Sequence, residues 1–298
     1  MSKPKRYRLY HVDAFVWLPR RRAKSIHAVV TDPPYAVIEY MPDQLSKRRE
    51  GNGSIWRLPQ SYDGHKRSPM PRFTVLCPSD LKRIEEFHSC LAPQLFRVLV
   101  PGGHAIIASQ NLVSHIVTRA FARAGFEIRG QIARVVKTLR GGDRPKGAHR
   151  LYPDVSVSPR SCWEPWLLFR KPCEGRVRDN LKKWGTGALR RPSNGTPFSD
   201  LIQSSPARGE ERELAPHPSL KPQAFVRRIV WGALPLAKGV ILDPFMGSGS
   251  TIAAAESLRL KSIGLEIDRD FFSLAKRVIP KLARLATNSP TPDKKLAT

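Results

Sequence analysis

Two short stretches of the 298-residue chain have residue types and spacings that could do chemistry. The first is Asp32-Pro33-Pro34-Tyr35, which follows directly on an apolar, β-branched run from Ser25 to Thr31. Consecutive prolines stop a strand's hydrogen-bond ladder and fix an extended, rigid turn. That leaves a carboxylate, carbonyls no helix can take up and an aromatic ring at the C-terminal edge of a strand, where open α/β sheets bind ligands. The second stretch runs from Asp243 through Phe245, Gly247, Ser248 and Gly249 to Thr251, between the apolar run Val240–Leu242 and an alanine-rich run ending at Leu258. A strand, a glycine turn and a helix N-terminus suit a nucleotide-like cofactor, although such turns also occur with no ligand. Glu266 weighs toward the cofactor. It lies 266 − 247 = 19 positions past the first glycine, close to the roughly 20 at which an acid meets a ribose in dinucleotide folds. The third glycine of the dinucleotide fingerprint is absent, and so is a P-loop, so a ribose-bearing cofactor without a pyrophosphate fits better than NAD or ATP.

The elements that must hold these residues can be read in order. Tyr7 to Val12 is a short strand ending at Asp13, and Ser25 to Thr31 is a second. Residues 36–75 form a long insertion rich in Pro, Gly, Ser and basic residues, among them Lys47, Arg48 and Arg49. Pro78-Ser79-Asp80 offers an N-cap to a helix through Leu81, Ile84, His88, Leu91 and Leu95, which Pro101-Gly102-Gly103 closes. A buried strand (104–109), a helix (111–124) and an extended run (126–136) follow. This alternation argues for a mostly parallel sheet. The glycine-hinged loop around Arg140, Arg144, Lys146 and Arg150 breaks the pattern, and Trp163 to Phe169 restores strand character. Residues 171–215 are polar and basic, a small lobe with little core of its own. His217-Pro-Ser219-Leu-Lys221-Pro222 leads into a helix with Phe225, Val226, Ile229, Val230 and Leu234 on one face. A last helix spans 269–285, kinked or broken at Pro280, and the tail 287–298 reads as disordered.

The charge is the loudest global property. Fifty-one Lys and Arg against 25 Asp and Glu give +26, an excess whose self-repulsion a polyanion such as nucleic acid would relieve. No segment is long and apolar enough to span a membrane, and no apolar run follows the charged N-terminus, so no signal peptide is expected. The four cysteines, at 77, 90, 162 and 173, match neither a zinc pattern nor a disulfide framework. A reduced, cytoplasmic, nucleoid-associated protein without a structural metal is the expectation.

Asp32-Pro-Pro-Tyr35, His217-Pro-Ser-Leu-Lys-Pro222, Phe245-Met-Gly-Ser-Gly249 and Gly264-Leu-Glu-Ile267, in this order, resemble the β-class DNA amino-methyltransferases, which use S-adenosylmethionine. The resemblance covers nearly all of residues 7–285 and leaves the 36–75 insertion and the tail unmatched. It implies an α/β fold: a doubly wound, mostly parallel sheet of about seven strands, Rossmann-like with permuted motif order, carrying a small target-recognition lobe. The expected division is a catalytic half (1–136), a target-recognition region (137–215), a cofactor-binding half of the same domain (216–286) and the tail. By the same resemblance, Phe245, Gly247, Ser248 and Gly249 line the cofactor after Asp243, Glu266 meets its ribose and Asp13 lies beside its adenine. His217, Ser219 and Lys221 lie near the methionine portion, and Asp32 borders it from the substrate side. S-adenosylhomocysteine is the implied product, and double-stranded DNA the implied partner. Family members are often dimers, so a homodimer is expected on that ground alone; a cognate restriction endonuclease is a further partner the family allows.

The implied reaction is direct. Asp32 and the Pro33 carbonyl accept the N–H groups of an exocyclic amine and free its lone pair, while Pro34 rigidifies the turn and Tyr35 stacks on a flipped base. Lys47, Arg48, Arg49, Arg140, Arg144, Lys146 and Arg150 are expected to hold the DNA backbone. Within the family Asp-Pro-Pro-Tyr is more usual with adenine and Ser-Pro-Pro-Tyr with cytosine, so the N6 amine of adenine is expected, with the N4 amine of cytosine as alternative. An RNA methyltransferase shares the cofactor logic. A non-catalytic DNA-binding module has no use for Asp32, Tyr35 and Glu266 together, and a small-molecule methyltransferase leaves +26 unexplained.

Overall fold

The structure is a computed structural model, and it describes residues 5–34, 76–136, 150–156, 159, 162–192, 195–207, 209–217 and 220–287. Eight strands form one sheet: β1 (Tyr7–His11), β2 (Ile26–Thr31), β3 (Leu99–Ala108), β4 (Glu127–Val135), β5 (Trp163–Arg170), β6 (Leu201–Gln203), β7 (Val240–Asp243) and β8 (Lys261–Glu266). Their spatial order is β1-β8-β7-β2-β3-β5-β4-β6. Every neighbouring pair is parallel except β3–β5 and β5–β4. Eight helices accompany it among the described residues: α1 (Ala14–Arg20), α2 (Pro78–Val98), α3 (Ser114–Arg123), α4 (Val177–Trp184), α5 (Glu210–Leu214), α6 (Gln223–Ala233), α7 (Ser250–Ser257) and α8 (Arg269–Leu282).

Side chains alternate across a strand, and this sheet sorts its apolar residues accordingly. Ala28, Val30, Ile106, Ala108, Trp166, Leu168 and Ile241 face one layer with Phe225, Val226, Ile229 and Val230 of α6. Val29, Ala105, Ile107, Leu167, Phe169 and Leu242 face the other, packed on Leu18 of α1, Leu91 and Leu95 of α2 and Phe121 of α3. A third cluster seats α8 on α7 through Ile252, Ala253, Ala275, Val278 and Ile279. The sheet is thus covered on both faces, as a largely parallel sheet must be.

The order of the strands fixes where a ligand can enter. From β2 the chain passes through α2 to β3 on one side, whereas from β7 it passes through α7 to β8 on the other. The strand order therefore reverses between β2 and β7, and the carboxyl ends of strands at such a point open a crevice. Thr31 and Asp243, at the ends of these two strands, are joined side chain to side chain at 2.7 Å.

The described residues depart from the expectations at a few points. The sheet has one strand more than seven because β6, three residues without readable periodicity, pairs with the outer edge of β4. The interval 137–215 thus supplies β5 and β6 to the sheet, together with α4 and α5. Pro101-Gly102-Gly103 does not end an element: β3 runs through it, and the register against β2 shifts there. Gly102 has φ +73°, and a Cβ on it would lie 2.4 Å from Asn180 Nδ2. Cys77 is the N-cap of α2, with Asp80 accepting from its backbone N at 3.1 Å in place of the expected Ser-type cap. Asp13 does not end β1 but caps α1, accepting from Phe15 N at 2.8 Å. α8 continues past Pro280 to Leu282. Its last carbonyl, which lacks a helical partner, is met by the Arg227 guanidinium, 2.9 Å from Leu282 O, which also reaches Leu285 O just past the helix at 2.9 Å. Tyr35, Lys47, Arg48, Arg49, the insertion 36–75, Arg140, Arg144, Lys146, Ser219 and the tail from 288 lie outside the described residues. Among those described, no helix is long and apolar enough to cross a membrane, and no His, Cys, Asp and Glu side chains cluster as metal ligands.

Candidate active site

Both stretches singled out by sequence open into the crevice. Asp32 follows β2 immediately; its side chain is 17% exposed, Pro33 is buried and Pro34 exposed. Lys221, in the segment leading to α6, puts its Nζ 2.5 Å from Asp32 Oδ2 and 3.5 Å from Glu164 Oε1. Burial opposes charge on Lys221, but Asp32 and Glu164 outweigh it and hold the ammonium above the ordinary lysine range. The expected place of Lys221 was beside the methionine portion of a cofactor; its described contacts are with carboxylates.

Sequence reasoning passed over the residues behind this pair. Glu164 on β5 and Arg134 on β4 stand opposite each other in the antiparallel register, and Arg134 Nη1 lies 2.8 Å from Glu164 Oε2. Trp166 Nε1 donates to Glu164 Oε1 at 3.1 Å. β5 runs antiparallel to β3, so its first residues reach the edge at which β2 ends. The signal was available: two opposite charges inside apolar strands must be paired if buried, and the strands carrying them were read correctly.

On the other side, the loop from β7 to α7 is held in one shape. Met246 N donates to Leu265 O at 2.9 Å, and Gly247 N to Glu266 Oε2 at 2.8 Å. Glu266 Oε1 accepts from Asp268 N, also at 2.8 Å. Gly247 and Gly249 have φ +51° and +87°, backbone that side chains rarely adopt. A Cβ on Gly247 would meet His217 Nε2 at 3.0 Å, and one on Gly249 would meet Ile279 Cγ1 at 2.5 Å. Ser248 is buried, and Phe245 packs with Phe15 and Phe87, its ring 5.6 Å from that of Phe87. Asp13, at the head of α1, is half-buried two residues before Phe15. The His217 ring meets Phe271 edge-on at 4.3 Å. Its pKa is lowered to about 4, first by burial and then by Lys221 and Arg212. Asp243 is pushed up to about 7 by burial, against hydrogen bonds from Thr31, Thr251 and Phe245 N.

The crevice therefore joins a carboxylate on one wall, Asp32, to a glycine turn braced by an acid, Glu266, on the other. Arg150, the one expected DNA contact among the described residues, is exposed in a turn. The fold is that of solved DNA methyltransferases. A structure described as the M1.HpyAVI–SAM complex superposes with a TM-score of 0.54 at 21% identity, covering 94% of this chain and 100% of that one. The PvuII DNA methyltransferase, described as cytosine-N4-specific, gives 0.59 at 13% identity over 96% and 89% of the two chains. In sequence, the Type II methyltransferase M.HindIII of Haemophilus influenzae is 23% identical over 300 residues, 90% of this chain and 93% of its own. The family model described as DNA methylase, for N6 and N4 methylases, matches residues 26–277. The chain belongs to this DNA methylase family.

Proposed function

We propose that this DNA amino-methyltransferase moves a methyl group from S-adenosylmethionine to the N6 amine of adenine in duplex DNA, on a base turned out of the helix. The observation that carries the reading is the meeting, at the β2/β7 switch point, of Asp32 with the positive-φ glycine turn that Glu266 braces. The turn suits such a cofactor: without a Cβ, which at Gly247 would lie 3.0 Å from the His217 ring, the backbone stays close beside the Glu266 carboxylate. Glu266 already accepts two backbone N–H bonds, and a carboxylate offers about four acceptor sites, which leaves room for ribose hydroxyls. Phe245 and Asp13 would border the adenine, and Asp243, Ser248, Gly249, His217 and Ser219 the rest of the molecule. When bound, S-adenosylmethionine supplies an electrophilic sulfonium methyl.

An exocyclic amine is a poor nucleophile because its lone pair is delocalised into the ring. Asp32 and the Pro33 carbonyl would each accept one N–H, drawing the nitrogen toward tetrahedral geometry and aiming the lone pair. The displacement then needs positioning and charge complementarity and no covalent enzyme intermediate. On taking up that methyl the nitrogen would become cationic and would shed one proton, for which Asp32 would serve as base. Tyr35 would stack on the extruded base, offsetting part of an extrusion cost of a few kcal/mol.

Adenine is preferred to cytosine because the tetrapeptide begins with Asp. The fold does not separate the two bases, since the cytosine-N4-specific PvuII enzyme shares it. Methylating duplex DNA of varied sequence, digesting it to nucleosides and separating them by mass should yield N6-methyladenosine in its deoxy form. N4-methylcytosine alone would refute the base assignment. No methylated base on DNA, with transfer to RNA, would refute the substrate.

A further inference from the structure

Four ionised side chains of alternating sign run from the crevice back into the sheet: Asp32, Lys221, Glu164 and Arg134. The first contact measures 2.5 Å, the second 3.5 Å and the third 2.8 Å. Only Asp32 and Lys221 belong to the stretches read as chemical. Glu164 and Arg134 lie deeper, with side chains 9% and 5% exposed. Arg134 is fixed in turn by residues just past β6: its Nε lies 3.2 Å from Ser204 Oγ and its Nη2 3.3 Å from Ser205 O. Its guanidinium lies 5.2 Å from the Phe225 ring centre. Glu164 is held from a second side by the Trp166 indole.

Stability does not account for such a chain. Taking four charges out of water is expensive, and replacing a buried ion network by apolar residues of similar volume is often neutral or stabilising. What the network does achieve is geometric. Lys221 has a flexible four-carbon stem and three donors, so one contact with Asp32 would leave the ammonium free to swing. A second anion, itself clamped by a planar guanidinium and an indole, turns that stem into a strut that holds the ammonium against Asp32 Oδ2.

We propose that Glu164 and Arg134 are positioning residues for methyl transfer, holding Asp32 in its accepting orientation through Lys221. The inference rests on the reading of Asp32 as acceptor of the target amine. Neither residue touches a substrate; each acts through its neighbour in the chain. Misplacing a reacting group by about 1 Å can cost on the order of 100-fold in rate, while on the reading above the cofactor rests on the glycine turn and Glu266, and the duplex chiefly on its phosphates.

The test is Glu164→Gln, which keeps the shape and removes the charge, in the full-length protein. Steady-state transfer from tritiated S-adenosylmethionine would be measured, giving kcat and KM for the cofactor and for duplex DNA. The expected result is a kcat lowered at least tenfold, with both KM values and calorimetric cofactor affinity within about threefold of wild type, and recovery of part of the rate by Glu164→Asp. A kcat lowered less than tenfold, or a loss that lies in KM, overturns it. Should Glu164→Gln not fold, Arg134→Gln is read against the same two criteria. Asp32→Asn separates the two levels: a fully active Asp32→Asn defeats the role of Asp32, whereas an inactive one beside a fully active Glu164→Gln defeats only the strut.

Discussion

At the scale of single residues, the crevice holds two groups whose burial pulls in opposite directions. Asp243 has its pKa raised from 3.8 to about 7, so between those values the folded chain binds a proton that the unfolded chain has released. Its contribution to stability is fully present below about pH 4 and is lost as pH rises through 7. His217 is lowered from 6.5 to about 4 and behaves inversely: the unfolded chain takes up the proton first, so its contribution is present above pH 6.5 and lost as pH falls through 4. The two windows overlap, and their slopes oppose. Thermal melts of Asp243→Asn should therefore rise more steeply from pH 4 to 6.5 than those of wild type. Melts of His217→Phe should rise less steeply than those of wild type over the same range. Unchanged slopes in both variants would mean that neither group titrates as its burial dictates. For catalysis the expectation at Asp32 is sharper: Asp32→Ala should abolish transfer yet bind S-adenosylmethionine, because Gly247, Gly249 and Glu266 stand on the opposite wall. Near-wild-type activity would sink the mechanism.

At the scale of elements, the loop from β7 to α7 is the most constrained piece of the site. Gly249 combines φ +87° with an Ile279 side chain 2.5 Å from where a Cβ would be. Left-handed backbone costs an L-residue about 1–2 kcal/mol, and overpacking a core adds about 1–3 kcal/mol. Gly249→Ala should thus lower unfolding stability by about 2–5 kcal/mol, read as a shifted urea midpoint with unchanged slope; a shift below about 0.5 kcal/mol would show that α8 simply moves aside. This loop was legible in the sequence because glycine, β-branched and alanine-rich residues each have one strong local preference there. So were β2 and β5, short apolar runs buried on both faces, and α2 and α6, whose apolar residues recur at helical spacing. The contact between Lys221 and Asp32 spans 189 positions, and no local pattern encodes it. Glu164 and Arg134 were overlooked for a related reason: each looks like an interruption of its own strand until the other is seen opposite. β6 was missed because three residues carry no period, and Pro101-Gly102-Gly103 was misread because a proline and two glycines can mark a bulge inside a strand as well as its end.

At the scale of the whole molecule, +26 is the property that DNA would meet. Each phosphate neutralised contributes about 0.9 to the slope of log affinity against log salt. Replacing Arg140, Arg144 and Lys146 together by Gln should weaken duplex binding at low salt and flatten that slope by about 2–3 if all three touch phosphate; an unaltered slope would identify them as solvated charge. The sheet itself bears on how such a chain can vary. β4 ends and β5 begins side by side, Val135 opposite Trp163, with Val136 N bonded to Cys162 O at 2.8 Å. The stem closes at the same edge as Asp32, one strand beyond β3. Whatever lies between 136 and 162 leaves and returns at one fixed point, so its length can double for roughly 0.6 kcal/mol of closure entropy. A lineage could exchange that stretch wholesale while the sheet and the carboxylate at its edge stand still.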